Sequence, residues 1–566
     1  LAVAGNVDFN GDLDVDGTAN LDVVDIDGAV DMASTLAVGS HLDLLQGNNI
    51  TWRYALGSTI RGSMSVSSGD IISFSNGSSN TERFRIAADG SLSTPTLGTS
   101  NVRFGVNAGN SILSGGNYNT VVGDEAGTSI NVGIQNTLMG YGAGDSLNDA
   151  DYNVAIGTNA LAADTLGSKS VAIGREALVT QNFTSATETF NTAVGYAAGQ
   201  SVTTGVQNTL IGGLAGDALN TGNANTALGY QALSTEDAHG YNTAVGHSAL
   251  PSLNAGADGH NVAVGYYSGF ATTTGVYNTF LGGGAGAFCT TGHYNTFVGK
   301  SAGLGITGTR LTGNDNTAVG KDAGLLLQGA ANSNTLVGAY AGDALTTSEK
   351  NTALGFEALS TQAAYSQNTA IGYRALKLTN GGYYNTAVGH DALSANAAGL
   401  NNTAVGHNAG EFATSTDNST FVGAFAGQGI TGTKLTGSNN TAVGKDAGLL
   451  LQGAANNNTL LGAYAGDAIT VGTQNTALGY GALSTGVASH YNTAVGHGAL
   501  NGDSTGRYSV AVGVSALLTQ NNTGNASMYN VAVGSSAGLS VTTGINNTFI
   551  GGLAGDALED ADANVA

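Results

Sequence analysis

A five-residue unit, Asn-Thr-x-apolar-Gly, returns 26 times between Asn101 and Gly551, and 17 of the 25 spacings between its closing glycines are 17 residues. The others are 18, 19 or 21 residues. A period this short cannot hold a pair of packed helices, which takes roughly 33 residues or more. A short strand, a glycine turn, a second apolar segment and a polar turn do fit, and they make one coil of a β-solenoid.

Counting from the Asn, each position has its own rule. The first is Asn except for Ser170, Ser419 and Ser509, and stacked asparagines suit a side-chain hydrogen-bond ladder along the coils. The second is only Thr or Val, near-isosteric β-branched residues that favour strands. That exchange points to an inward, shape-filling role rather than an outward ice-binding array of Thr. The fourth is always Val, Ile, Leu, Met or Phe. With the fourth position inside the coil, alternation sends the third outward, where a polar residue is expected. Yet the third is Ala, Leu, Phe or Val in 25 copies, Arg103 being the exception. A strand apolar on both faces is covered on both faces, so we expect self-association.

Position eight is Ala in 25 copies, and position nine is only Gly or Leu. All ten Leu there, such as Leu161, Leu233, Leu376 and Leu500, accompany Ala at position three. All eight Leu or Phe at position three accompany Gly at position nine. Overfilling a packed layer costs about 1–3 kcal/mol, so the two positions are expected to share one layer, within a chain or across an interface. A higher repeat lies above this one: residues 299–372 recur at 423–496, 124 residues later.

Composition limits the function classes. The 89 Gly with only 2 Pro exclude collagen, and 41% apolar residues make a packed core affordable. Sixteen basic against 39 acidic residues give a net charge of −23, which repels nucleic acid and anionic membrane. One cysteine, Cys289, allows no intrachain disulfide. No apolar run reaches the ~18 residues of a helical span, so no membrane insertion is expected of this segment. Neither a basic leader nor a finished last repeat is visible, and both ends read as trimmed.

Residues 1–45 alternate Asp with aliphatic residues between glycine turns and read as a β-rich shaft segment. Residues 46–100 hold Trp52, Pro95, Arg53, Arg61, Arg83 and Arg85 and read as a small β-rich connector domain. Residues 101–566 are the repeat rod.

Copies such as Asn225-Thr-Ala-Leu-Gly-Tyr-Gln-Ala-Leu233 and Ser170-Val-Ala-Ile-Gly-Arg-Glu-Ala-Leu178 resemble the head repeats of YadA-like trimeric adhesins. The resemblance covers residues 101–566 and implies a left-handed parallel β-roll wound as a homotrimer. The repeats here are longer than the usual adhesin unit, so their turns are expected to differ. The N-terminal block, with GNVDFNGDLDVDG and TERFRIAADGSLS, is similar to bacteriophage tail-fibre proteins. Such fibres often end in a self-cleaving chaperone domain, and this chain shows none.

Chemical motifs are few. Gly534-Ser-Ser-Ala-Gly538 and Gly299-Lys-Ser-Ala-Gly303 match the nucleophile elbow, but both fall on repeat positions and lack the strand-to-helix context. Gly299-Lys300-Ser301 ends like a phosphate loop, but Tyr294 stands where the opening glycine is required. Asp12, Asp14 and Asp16 open like a calcium loop that needs a Glu where Val23 stands. His247, His390, His407 and His497 share position six with Tyr141, Tyr196, Tyr230, Tyr266, Tyr373 and Tyr480, and read as a surface column rather than a metal row. Carboxylates such as Asp124, Glu125, Glu176, Asp217, Asp343 and Asp556 are scattered rather than paired as a glycosidase requires. Cys289 reads as a packed, inert thiol.

The expectation is an all-β solenoid, a left-handed parallel β-roll in an intertwined or side-by-side homotrimeric fibre. It carries no catalytic, cofactor or metal residues. Its partners are itself and a host-surface glycan or protein receptor, and it stands outside the cell as a virion appendage or on a cell surface. A bacterial trimeric autotransporter-type adhesin is the alternative, ahead of a glycan-degrading tailspike. The turns at 181–190, 304–315, 428–439 and 518–529, which carry the extra residues of the 21-residue spacings, are the candidate receptor loops.

Overall fold

The computed structural model describes residues 49–54, 59–66, 71–76, 81–86, 92–94, 97–361 and 366–566. The Asp-rich residues 1–45, with Asp12, Asp14 and Asp16, lie outside them. The described residues are all-β, without a helix, and fall into two compact units, Leu1–Leu92 and Ser93–Ala566. The first unit holds an antiparallel sheet of Asn49–Tyr54 (β1), Thr59–Val66 (β2), Ile72–Asn76 (β3) and Thr81–Ile86 (β4), paired in chain order. Phe74 and Phe84 lie opposite each other with ring centroids 5.7 Å apart, and Arg85 pairs with Glu82.

The second unit is a parallel β-solenoid. Each of the 26 sequence units contributes one three-residue strand, from Val102–Phe104 to Thr548–Ile550, and each strand pairs in register with the next. Thr209, Leu210 and Ile211, for example, sit against Thr226, Ala227 and Leu228. At ~4.8 Å per step the ladder runs about 120 Å. The first-position asparagines form the expected column. The Asn208 amide donates to Asn191 Oδ1 at 2.9 Å, while Asn208 Nδ2 donates to the Gly222 carbonyl at 2.8 Å. Asn208 Oδ1 in turn accepts the backbone N–H of Asn225 at 2.9 Å, so one side chain ties its own closing turn to the backbone of the coil after it. The motif glycines hold φ between +132° and +143°, and a Cβ on Gly212 would stand 2.5 Å from the Gly229 carbonyl oxygen. Only glycine fits that column.

The strand faces are the reverse of the sequence expectation. Position three points inward: Leu210, Ala227, Phe280 and Phe421 are fully buried. Positions two and four point out, so the Thr/Val column is outward and not shape-filling. The reason is width. The coil interior is narrow enough that the alanines of positions three and eight fill much of it, and a Val, Ile or Leu in every copy does not fit there.

The coupling between positions three and nine is confirmed and lies within one chain. A Cβ on Gly216 would stand 2.7 Å from Leu210 Cδ2 and 2.8 Å from Leu219 Cδ1. Leucines at position nine, such as Leu233, instead take a left-handed backbone and fill that space themselves.

Where Ser replaces the ladder Asn at 170 and 509, the fold supplies a substitute. Gln181 Nε2 donates to Ser170 Oγ at 2.8 Å and to Asp164 Oδ2 at 2.5 Å, and its carbonyl accepts from Asn191 Nδ2 at 2.8 Å. Gln520 repeats this arrangement between Ser509, Asp503 and Asn530 at 2.9, 2.7 and 2.9 Å.

Candidate binding surfaces

Three surfaces of the solenoid offer contacts, each produced by the repeat itself. The first is the outer strand face. Because positions two and four alternate out of the same three-residue strand, every coil adds one Thr or Val and one Val, Ile, Leu, Met or Phe to a single column. Met139, Leu228, Leu281, Leu354, Leu461, Leu478 and Ile550 are all exposed there, Leu354 at 46%. Contiguous apolar surface on this scale marks an interaction face.

The second surface is the position-six column, where rings stack as the sequence implied. Tyr230, His247 and Tyr266 follow at centroid distances of 5.3 and 5.5 Å. Tyr373, His390 and His407 follow at 4.9 and 5.1 Å, and Tyr480 meets His497 at 5.3 Å. A further ring column escaped the sequence reading. It lies on the residue just before the ladder Asn, where Tyr241, His260, Tyr277 and Tyr294 stack at 4.9, 5.1 and 5.2 Å with planes within 8°. Tyr491, Tyr508 and Tyr529 form a shorter copy at 4.8 and 5.1 Å. The recurring Tyr-Asn-Thr triplet was its signal.

The third surface is the set of long turns. Each is pinned by one buried residue, Phe183, Leu311, Leu435 or Met528, and exposes a short tip such as residues 307–310 or 431–434. The first turn adds a two-residue parallel strand pair, Gly167–Ser168 with Thr187–Glu188, and an ion pair between Lys169 and Glu188.

The remaining motif residues take structural places. Ser301 and Ser536 sit at position seven in left-handed turns, and Ser301 N–H donates to the Gly283 carbonyl at 2.9 Å. Cys289 is fully buried, and burial pushes its thiol up to about 12. Asp217 and Asp343 share a position behind the Ala-Gly pair, each with one buried oxygen lacking a partner. Burial raises both carboxyls, that of Asp343 to about 6. Glu236 and His239 share a hydrogen bond at 3.1 Å beside Asp237, a cluster whose buried carboxylate is already satisfied by backbone amides of His239 and Ala255.

Buried polar residues at position twelve were not anticipated. Asp164, Glu236, Asn396 and Asp503 are buried, and each accepts an amide three residues on, closing the turn, as Asp503 Oδ1 does from Gly506 N–H at 2.7 Å. All four follow a leucine at position nine, the signal that was present in the sequence.

The fold defines a parallel β-solenoid repeat protein of about 26 coils. Comparison of the chain with protein-family models, curated proteins and solved structures finds no match.

Proposed function

We propose that this chain forms the rod of a homotrimeric extracellular fibre, a tail-fibre-like virion appendage or cell-surface adhesin that carries attachment to a host or surface. The observation that carries this is the outward apolar column of positions two and four. A solenoid coil has nothing of its own to cover that face, and a second and third copy supply matching columns in the same register. A trimer with a closed rotation axis buries three such faces together and leaves no open edge for further growth sideways. The ring columns and long turns then face outward as contact surface, for a glycan or protein receptor. Bacterial trimeric adhesins would use the same rod.

The outward Thr column also has the form of a water-ordering array. Position four argues for packing instead, because its mixture of Val, Ile, Leu, Met and Phe gives an uneven face that suits interdigitation rather than a flat lattice.

The test is the solution mass of the chain by light scattering, with and without Leu228→Glu and Leu354→Glu together. These residues point away from the coil interior, so the variant keeps its β circular dichroism. A wild-type mass of three chains, falling to one in the variant, is the expected result. A wild-type monomer would sink the proposal.

A further inference from the structure

The position-six column is interrupted at Gly283. Tyr230, His247 and Tyr266 lead up to it on three successive coils, and Lys300 follows on the coil after it. Gly284 stands beside the gap, and the two glycines floor a groove of about 540 Å³. Tyr266, Tyr267 and Phe270 form one wall and Phe288 lies at its inner side, with Tyr267 4.0 Å from Tyr266 and 4.7 Å from Phe270 between ring centroids. Lys300 and Leu304 form the other wall.

Nothing in the backbone demands the gap. Gly283 does not hold a positive φ, and a Cβ there would meet nothing closer than the Tyr266 carbonyl oxygen at 3.9 Å. The coils 124 residues on, which immediately precede the second duplicated segment, provide a comparison. The position 124 residues on is His407, whose ring continues the column from His390 at 5.1 Å and meets Phe425, at position seven of the next coil, at 5.0 Å. Around it two of the three wall rings are gone: Asp391 and Ser394 stand where Tyr267 and Phe270 do, while His390 keeps a ring at the place of Tyr266. One copy thus keeps its own ring beside Asp391 and Ser394, and the other lacks the ring and has Tyr267 and Phe270 in their place. Gly213 is also a gap between Tyr196 and Tyr230, but Leu214 stands where Gly284 leaves space.

Lys300 supplies complementary charge. Elsewhere the solenoid sets cations against rings from the next coil, Lys321 at 4.7 Å from Tyr340 and Lys445 at 4.8 Å from Tyr464. Among the described residues Lys300 is exposed, forms no ion pair and covers no ring. A ring inserted at the gap would have Tyr266 on one face and the Lys300 ammonium on the other, stacking and cation–π contact together.

We propose that this groove binds one aromatic side chain, Trp or Tyr, presented by a partner protein. It rests on the attachment reading above and names the recognition element. A pyranose fits less well, because the walls offer only the tyrosine hydroxyls and Lys300 to several sugar hydroxyls that would lose water.

The test titrates the full chain with acetyl-Gly-(5-fluoro-Trp)-Gly-amide, followed by fluorine NMR, beside unlabelled Trp and Leu tripeptides and maltotriose as competitors. Binding in the millimolar range or tighter is expected, with the Trp peptide competing at least fivefold better than the Leu peptide. Gly283→Tyr, which rebuilds the missing ring on an unstrained backbone, should weaken binding at least tenfold, and Lys300→Gln several-fold. Each variant's mass and circular dichroism are measured alongside, and Gly283→Ala keeps the test alive should the tyrosine variant fail to fold. Equal competition by Leu, stronger competition by maltotriose, or unchanged binding in a folded Gly283→Tyr would each overturn the proposal. The groove lies within three coils of one chain, so a wild-type monomer would defeat the trimer without deciding this site.

Discussion

Two kinds of glycine occupy this chain, and they make opposite predictions at the residue scale. Gly212 holds φ +134° and packs its α-carbon against the next coil's carbonyl, so Gly212→Ala combines left-handed strain with a backbone clash. Destabilisation of about 2–3 kcal/mol or more is expected, read as faster amide hydrogen exchange at residues 226–229, because solenoid stability is local to neighbouring coils. Gly283→Ala, with open space and an ordinary backbone, should stay within about 0.5 kcal/mol of wild type. The motif glycines were legible as a column from their spacing alone. Which of positions three and four faced inward was not, because both are apolar and hydrophobicity carries no direction. Side-chain volume held the answer: an interior that accepts Ala in most copies at position three cannot also accept an aliphatic in every copy at position four.

The coil is a unit in which three positions are chosen together. Leu210, Gly216 and Leu219 represent one solution; Ala370, Leu376 and Thr379 represent the other. Both put a left-handed residue at position nine, with φ +56° at Gly216 and +50° at Leu376, so the backbone does not separate them. Gly216→Leu alone should therefore cost about 1–3 kcal/mol through overpacking against Leu210 and Leu219. The same change in a Leu210→Ala, Leu219→Thr background should cost less than about 1 kcal/mol, since it reproduces the second solution. Urea unfolding of the four combinations measures the coupling directly, and additive effects would show that the positions do not share a layer. The pairwise exclusion was legible in the sequence as missing Leu–Leu combinations. The third member was hidden because position twelve is mostly apolar in one solution and mostly polar in the other, with Thr272, Leu253 and Gly486 as exceptions, and a mixed position shows no pattern until it is sorted by position nine. The Gln181 and Gln520 substitutes belong to the same position: both stand at position twelve after a position-nine leucine, each 11 residues beyond the ladder Ser that it reaches, and they were hidden until that position was sorted.

At the scale of the whole molecule, the carboxylates set a direction for the response to pH. Burial raises Asp343 and Asp503 to about 6 and also raises Asp145, Asp164, Asp217 and Asp467 above the usual 3.8. The folded chain then binds protons more tightly than the unfolded chain between about pH 4 and pH 6, so stability is greatest below the unfolded value and is lost as pH rises through the folded one. His490 opposes this, since burial lowers it and its stabilising neutral form is lost as pH falls. Asp560, held low by hydrogen bonds from Thr542 and Thr543, opposes it as well. Six raised carboxylates outweigh these two groups, and the net charge of −23 adds self-repulsion of the same sign. The thermal midpoint is therefore expected to rise between pH 7 and pH 4.5, the reverse of a protein held by ionised salt bridges. Asp343 isolates the effect: its Oδ1 is buried without a partner, so Asp343→Asn removes a charge without breaking a hydrogen bond at that oxygen. That variant should be more stable than wild type at pH 7, and the difference should shrink toward pH 4.5. Calorimetry across that range checks both statements. A midpoint that falls on acidification would mean that ionised carboxylates stabilise the assembled fibre, through contacts between copies that a single solenoid does not contain.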